Sequence, residues 1–277
     1  MSDKIKIRIA VLDLNNGFAN QGMRCIKNII NDWKIANAYD VQTDIFDVRQ
    51  KQQLPDLSYD VFISSGGPGS PLSQHEEWDK KYMHWIDEVN EFNLNYNNYP
   101  KKHVFFICHS FQLACRHFNI ANVCERKSTS FGVFPVHMTH DGMNEMVFSG
   151  MKDPFYAVDS RDYQVVQPNK KRLHEMSAKI LAIEKERPHV PHLERAIMAI
   201  RFNDYFIGTQ FHPEADPAGM TIHLNSEEKK QTVIKNHGEE KWKSMIEQLN
   251  DPDKILWTHD HILPNFLNIA VGELVED

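Results

Sequence analysis

Cys108 closes an apolar run at 103–108, and the residues after it read as a helix over 109–118. Phe111, Ala114, Cys115 and Phe118 recur there at i, i+3, i+4 and i+7, so one face of that helix is buried. A thiol at such a strand-to-helix corner meets free backbone N–H groups and the positive end of the helix, which favour a nucleophilic thiolate. Far downstream, 208–214 reads Gly-Thr-Gln-Phe-His-Pro-Glu. It offers His212 as an imidazole base and Glu214 as a carboxylate able to orient it, the complement that a cysteine nucleophile needs. A third stretch, 61–71, runs from Val-Phe-Ile-Ser into a turn dense in Gly and Pro. Glycine lets a backbone N–H come close to a reacting carbonyl, and an oxyanion hole needs such donors about 3 Å from the developing charge. The N–H groups of Gly67 and His109 are the candidates.

Each motif alone has a plain structural reading: a small buried thiol, a polar turn, a Gly-rich loop. The loop is not a phosphate loop, since no Gly-Lys-Ser/Thr follows it. All three in one chain favour an active thiol.

The elements that must position these residues alternate in the first half. Apolar runs at 7–12, 41–46, 61–64 and 104–107 read as strands. Ile26, Ile29, Ile30 and Trp33, and then Trp78, Tyr82, Trp85, Ile86, Val89 and Phe92, mark amphipathic helices between them. Such alternation predicts a parallel sheet covered by helices, with sites at the carboxyl ends of the strands, where Gly67 and Cys108 fall. Beyond Asn122 the pattern turns to short β-rich segments at 131–138, 155–158, 163–166, 196–202 and 205–209. The last two read as a hairpin delivering His212 to the end of the sheet. Residues 218–250 read as two helices packed over the domain, part of a helical insertion at about 218–256. That insertion reads as scaffold, with a lid or a homodimer contact as its other roles.

These motifs resemble the class I glutamine amidotransferase family. Ser-Gly-Gly-Pro-Gly at 65–69, Cys-x-x-x-Gln at 108–112 and Gln-Phe-His-Pro-Glu at 210–214 occur in the family's order. The similarity runs from Ile7 to about Ala215 and resumes near Leu263. It implies a flavodoxin-like α/β three-layer sandwich with a mostly parallel central sheet and a C-terminal helical extension, one domain over 1–277. It also implies Cys108 as nucleophile, His212 as base and acid, Glu214 as orienter, Gly67 and His109 as the oxyanion hole, and Gln112 as a substrate contact. The implied activity is hydrolysis of glutamine or a γ-glutamyl amide through a γ-glutamyl thioester, with no cofactor. The ammonia released would pass to a separate synthase partner, because no second pattern here reads as an accepting domain.

Four positions depart from the family. Phe106 and Ser110 stand where it has glycine, and a Cβ at 110 would strain a tight elbow if φ were positive there. Ser160, Arg161 and Tyr163 fall in the stretch that holds the substrate's α-groups, with Arg161 and Tyr163 in place of the family's His and Asp. A guanidinium facing the substrate would repel an α-ammonium, and strand alternation would point Asp162 away. That combination favours a γ-glutamyl peptide or conjugate over free glutamine. A non-catalytic regulatory module retaining the fold is the remaining alternative.

Composition narrows the classes. The chain has 277 residues, 41% hydrophobic and 25% charged, as a folded globular domain requires. A net charge of −7, from 31 basic and 38 acidic side chains, gives no reason to expect a nucleic-acid or anionic-membrane partner. Neither a signal peptide nor a membrane-spanning run is evident. The 4 cysteines have no paired spacing, so a reducing, cytoplasmic setting fits. Among 15 histidines, His137 with His140 and His259 with His261 are close in sequence, but no ligand set completes either pair, and no metal is expected.

Overall fold

The computed structural model describes residues 6–72, 75–188, 190–249, 251 and 253–275. The chain runs through β1 (Lys6–Asp13), α1 (Gln21–Asn37), β2 (Asp40–Asp47), β3 (Val61–Ser64), α2 (Glu77–Leu94), β4 (His103–Ile107) and α3 (His109–His117). It continues through β5 (Ala121–Met138), α4 (His140–Met143), β6 (Phe155–Pro168), α5 (Lys170–Glu175), β7 (Lys179–Glu184), β8 (Ile197–Arg201) and β9 (Phe206–Thr209). It closes with α6 (Pro217–Asn225), α7 (Glu227–His237), α8 (Glu239–Leu249) and α9 (Ile255–Val275). Among the described residues nine strands form one sheet in the order β2-β1-β3-β4-β9-β8-β7-β5-β6. The pairs from β2 to β9 are parallel, and those from β9 to β6 are antiparallel. The α/β class is therefore as the alternation implied.

Three layers follow from where the apolar side chains go. Ile26, Ile29, Ile30 and Trp33 of α1 pack with Ile262, Phe266 and Val271 of α9 on one face. Trp33 Nε1 also donates to Asn268 Oδ1 at 2.7 Å, tying the two helices together. Tyr82, Trp85 and Val89 of α2 and Phe111 of α3 cover the other face. Strands β3 and β4 are buried along their whole length, which is why they read as continuous apolar runs rather than alternating ones.

Two segments differ from the sequence reading. The short strands expected at 131–138, 155–158 and 163–166 belong to two long ones, β5 and β6, which pair antiparallel with a register shift between Glu125 and Ser130, whereas those at 196–202 and 205–209 are β8 and β9. That irregularity carries the strand through the polar stretch that interrupted the pattern. The two helices expected over 218–250 are three: the chain is extended at Ser226, between α6 and α7, and Gly238 at φ +84° ends α7 before α8 begins. They pack Leu224, Val233, Met245 and Leu249 on Val133 and Val158 of the β5–β6 pair, and α9 begins at Ile255. Asn250, the expected end of the stretch, lies outside the described residues.

Candidate active site

The carboxyl ends of β3, β4 and β9 lie side by side, and each carries part of the site. Cys108 joins β4 to α3 with φ 50° and ψ −98°, so the strained residue at the elbow is the thiol-bearing one itself. Its N–H donates to Thr209 O at 2.7 Å, and its carbonyl accepts from Gln112 N at 3.0 Å in the first helical turn. Position 110 lies within α3 and outside the positive-φ residues, which removes the expected penalty for a serine there. The Ser110 hydroxyl instead accepts from Ile107 N at 2.8 Å and donates to Ser64 O at 2.8 Å, pinning β3 to the elbow. Phe106 is accommodated by its partner across the ladder. A Cβ on Gly208 would lie 2.9 Å from Phe106 O and 3.0 Å from Phe106 Cβ.

His212 arrives after β9 and is fixed to β6, its N–H donating to Val158 O at 2.9 Å. Its Nδ1 donates to Glu214 Oε1 at 2.8 Å, which leaves Nε2 for the sulfur side. The Cys108 and His212 side chains meet above Gly66, where a Cβ would lie 2.9 Å from His212 Cε1 and 3.5 Å from Cys108 Cβ. Burial of the imidazole disfavours its charged form. The Glu214 carboxylate and, after it, the Cys108 sulfur outweigh this and hold the His212 pKa well above the usual imidazole range.

Glu214 is buried against the start of α1, where a Cβ on Gly22 would come within 2.9 Å of its Oε1. Its Oε2 has no hydrogen-bond partner among the described residues. The segment carrying it is clamped twice: His259 Nδ1 of α9 donates to Glu214 O at 2.8 Å, and Arg24 of α1 pairs with Asp216 at 2.7 Å.

A cavity of about 440 Å³ opens over these groups. Gly67, His109, Gln112, Ser160, Arg161 and Tyr163 all line it with the Cys108, His212 and Glu214 set. Gly67 sits where a Cβ would strike Leu14 O at 2.4 Å, so only glycine fits that turn. The His109 ring is buried and its pKa is pushed down to about 3 by that burial, then by Arg49 and Arg116. It is therefore neutral, and what His109 offers the site is its backbone. Gln112 is buried too, with Nε2 donating to Gln210 Oε1 at 3.0 Å, and Gln210 Nε2 stands 3.8 Å from the Cys108 sulfur. Gln210 was in view in the 208–214 motif, but nothing in its type or spacing gave it a role.

Arg161 corrects the sequence reading. Its side chain is 1% exposed, and its guanidinium is committed to Asp159 Oδ1 at 2.8 Å and Glu184 Oε1 at 3.3 Å. The charge expected to repel an ammonium is thus paired with two buried carboxylates, although Arg161 still lines the cavity. Asp162, expected to point away, lines the cavity instead, accepting from Thr129 Oγ1 at 2.5 Å. Of Ser160, the carbonyl is the atom nearest the Cys108 thiol, 3.8 Å from Sγ. His259 and His261 take separate partners, and no metal-type trio converges among the described residues.

The family model for class I glutamine amidotransferases matches residues 20–228. The chain belongs to that family. The class I amidotransferase fold recurs in solved structures at low identity. A glutamine amidotransferase from Thermotoga maritima (tm1158) aligns with TM-score 0.65 and 16% identity over 96% of this chain and 98% of that one. A glutamine amidotransferase from Methylobacillus flagellatus gives 0.61 and 13% over 95% and 94%. The glutaminase domain of CTPS from Trypanosoma brucei, with bound acivicin, gives 0.54 and 15% over 75% and 86%. Among curated proteins no sequence matches the chain. No helix among the described residues is long and apolar enough to cross a membrane.

Proposed function

We propose that this class I amidotransferase is a cysteine amidohydrolase of glutamine or a γ-glutamyl amide, working through Cys108, His212 and Glu214. The observation that carries the reading is the meeting of Cys108 and His212 over Gly66, with Glu214 on the far imidazole nitrogen. His212 takes the thiol proton, and the sulfur attacks the side-chain carbonyl carbon. The N–H groups of Gly67 and His109 receive the oxyanion. His212 then gives its proton to the leaving nitrogen, and ammonia or an amine departs from the γ-glutamyl thioester. Water, deprotonated by the same imidazole, attacks the thioester and returns glutamate and the free thiol. No cofactor enters these steps, and the ammonia would be consumed by a separate synthase.

For the substrate's α-ammonium, the available carboxylate is Asp162 on the cavity wall rather than a group at 163. A second reading, a γ-glutamyl conjugate with a bulkier amine, is favoured by Phe18, which lines the cavity and is 68% exposed. That ring offers an apolar platform to a leaving group larger than ammonia. Steady-state amine release from glutamine, γ-glutamyl dipeptides and γ-glutamyl alkylamines tests both readings. Asp162→Asn is expected to raise KM for each by about tenfold or more, the cost of one charge-assisted contact, with kcat little changed. No turnover of any γ-glutamyl amide by the wild-type chain, with and without an added synthase, would defeat the proposal.

A further inference from the structure

A second cavity, of about 770 Å³, lies on the other side of the β5–β6 pair. Asp159 lines it, whereas Ser160 and Asp162, its neighbours on β6, line the catalytic cavity. Its floor is a buried cluster in which Glu184 serves three guanidinium groups. Oε1 pairs with Arg126 at 3.2 Å and Arg161 at 3.3 Å, and Oε2 pairs with Arg187 at 3.2 Å. Asp159 is the second carboxylate of the cluster, taken by Arg161.

Three guanidinium groups against two carboxylates leave one positive charge unmatched. The rim does not cancel it, because exposed Glu125 and Glu194 are balanced by Lys127 and Lys185. The surplus has a structural trace. Arg187 Nε is buried with no hydrogen-bond partner among the described residues. Burial, and then the charge of Arg161, depress the Arg126 pKa, although a guanidinium stays charged. Phe134, with Lys185 Nζ 4.3 Å from its ring centroid, and Leu193, Val233 and Met245 give the same cavity apolar lining. A cavity of this size, apolar with a few convergent polar groups, is what a small-molecule site presents.

We infer that this second cavity binds a monoanionic organic carboxylate. The carboxylate would complete the Arg126–Glu184–Arg187 cluster, and its apolar body would lie on the Phe134–Met245 side. The inference does not depend on the amidohydrolase reading, since it uses none of the groups over Cys108. A carboxylate oxygen is the acceptor that Arg187 Nε lacks, since Nη2 on the same edge already donates to Glu194 O at 2.6 Å and pairs with Glu184 Oε2.

Calorimetric titration of the full chain with octanoate, and separately with octanol, tests it. The two probes share an apolar body and differ in the charge. Octanoate is expected to bind about tenfold or more tightly than octanol, the difference a charge-assisted hydrogen bond makes. Arg187→Gln should abolish that preference. Leu193→Trp, which fills the apolar side without touching the charges, should weaken both ligands. Equal affinity for the two probes, absence of octanoate binding, or octanoate binding unchanged in Leu193→Trp would each overturn the inference. The Leu193 variant keeps the test decisive if Arg187→Gln fails to fold.

Discussion

Glu214→Gln should disable the enzyme without unfolding it, and the structure sets the scale. The carboxylate is 3% exposed, accepts from His212 Nδ1 at 2.8 Å, and leaves Oε2 unpartnered. An amide in that slot has two orientations. If its NH2 faces His212, Nδ1 must accept, the ring proton moves to Nε2, and the imidazole can no longer take the thiol proton. If its oxygen faces His212, the hydrogen bond survives but the charge that stabilises the imidazolium is gone. The lost charge-assisted bond alone is worth about 1.5–3 kcal/mol, or roughly 10- to 10²-fold, and the wrong tautomer of a triad imidazole has cost about 10⁴-fold elsewhere. We therefore expect kcat to fall about 10²- to 10⁴-fold with KM nearly unchanged, read as ammonia release in a coupled assay.

Stability follows a different course. The folded His212 pKa is raised well above its unfolded value near ~6.5, so the pair's contribution is fully present below that pH. It is lost as pH rises through the folded value. Glu214→Gln should therefore lower the melting temperature most below about pH 6.5, and the deficit should shrink as the solution becomes alkaline. The imidazole can release its proton in the variant, so no orphan charge is left buried. A kcat within about threefold of wild type, or a stability deficit that grows with pH, would refute the reasoning.

Two further substitutions probe the elbow. Ser110→Ala removes the hydroxyl joining Ile107 N to Ser64 O and should cost about 1–3 kcal/mol in a urea midpoint, because buried partners are left unpaired. An unchanged midpoint would show that the pin is dispensable. Gly208→Ala places a Cβ 2.9 Å from Phe106 O and from Phe111 Cδ2, and should destabilise the fold by about 1–3 kcal/mol. Phe106→Ala in the same chain should not rescue it, since the clash is with backbone as well as ring.

The legible part of this protein was its local order. Apolar runs showed β3 and β4, helical spacing showed α1 and α2, and the hairpin expected from 196–202 and 205–209 forms as β8 and β9, with the Asn203 side chain accepting from the N–H groups of Tyr205 and Phe206 at its turn. Cys108, His212 and Glu214 were each visible because a motif carried them to the end of a strand. What was hidden depends on partners distant in sequence. Arg161 was assigned to substrate because alternation alone did not show it sharing a buried cluster with Asp159, two residues back, and with Glu184, 23 residues away on another strand. Asp162 was assigned to the wrong face because alternation along β6 has no origin until the register with β5, irregular between Glu125 and Ser130, is known. Strain was expected at Ser110, whereas the backbone places its positive φ at Cys108.

The central claim is that Cys108 is the nucleophile, and the most direct measurement is mass spectrometry after exposure to a glutamine-mimicking electrophile. Burial pushes the Cys25 thiol up to about 12 and the Cys115 thiol well above the usual range, so neither should compete. One adduct, located on Cys108, slowed by excess glutamine or γ-glutamyl amide and absent in Cys108→Ala, is the expected result. Labelling of Cys124 or Cys25 instead, or an adduct on Cys108 that no γ-glutamyl compound retards, would contradict it.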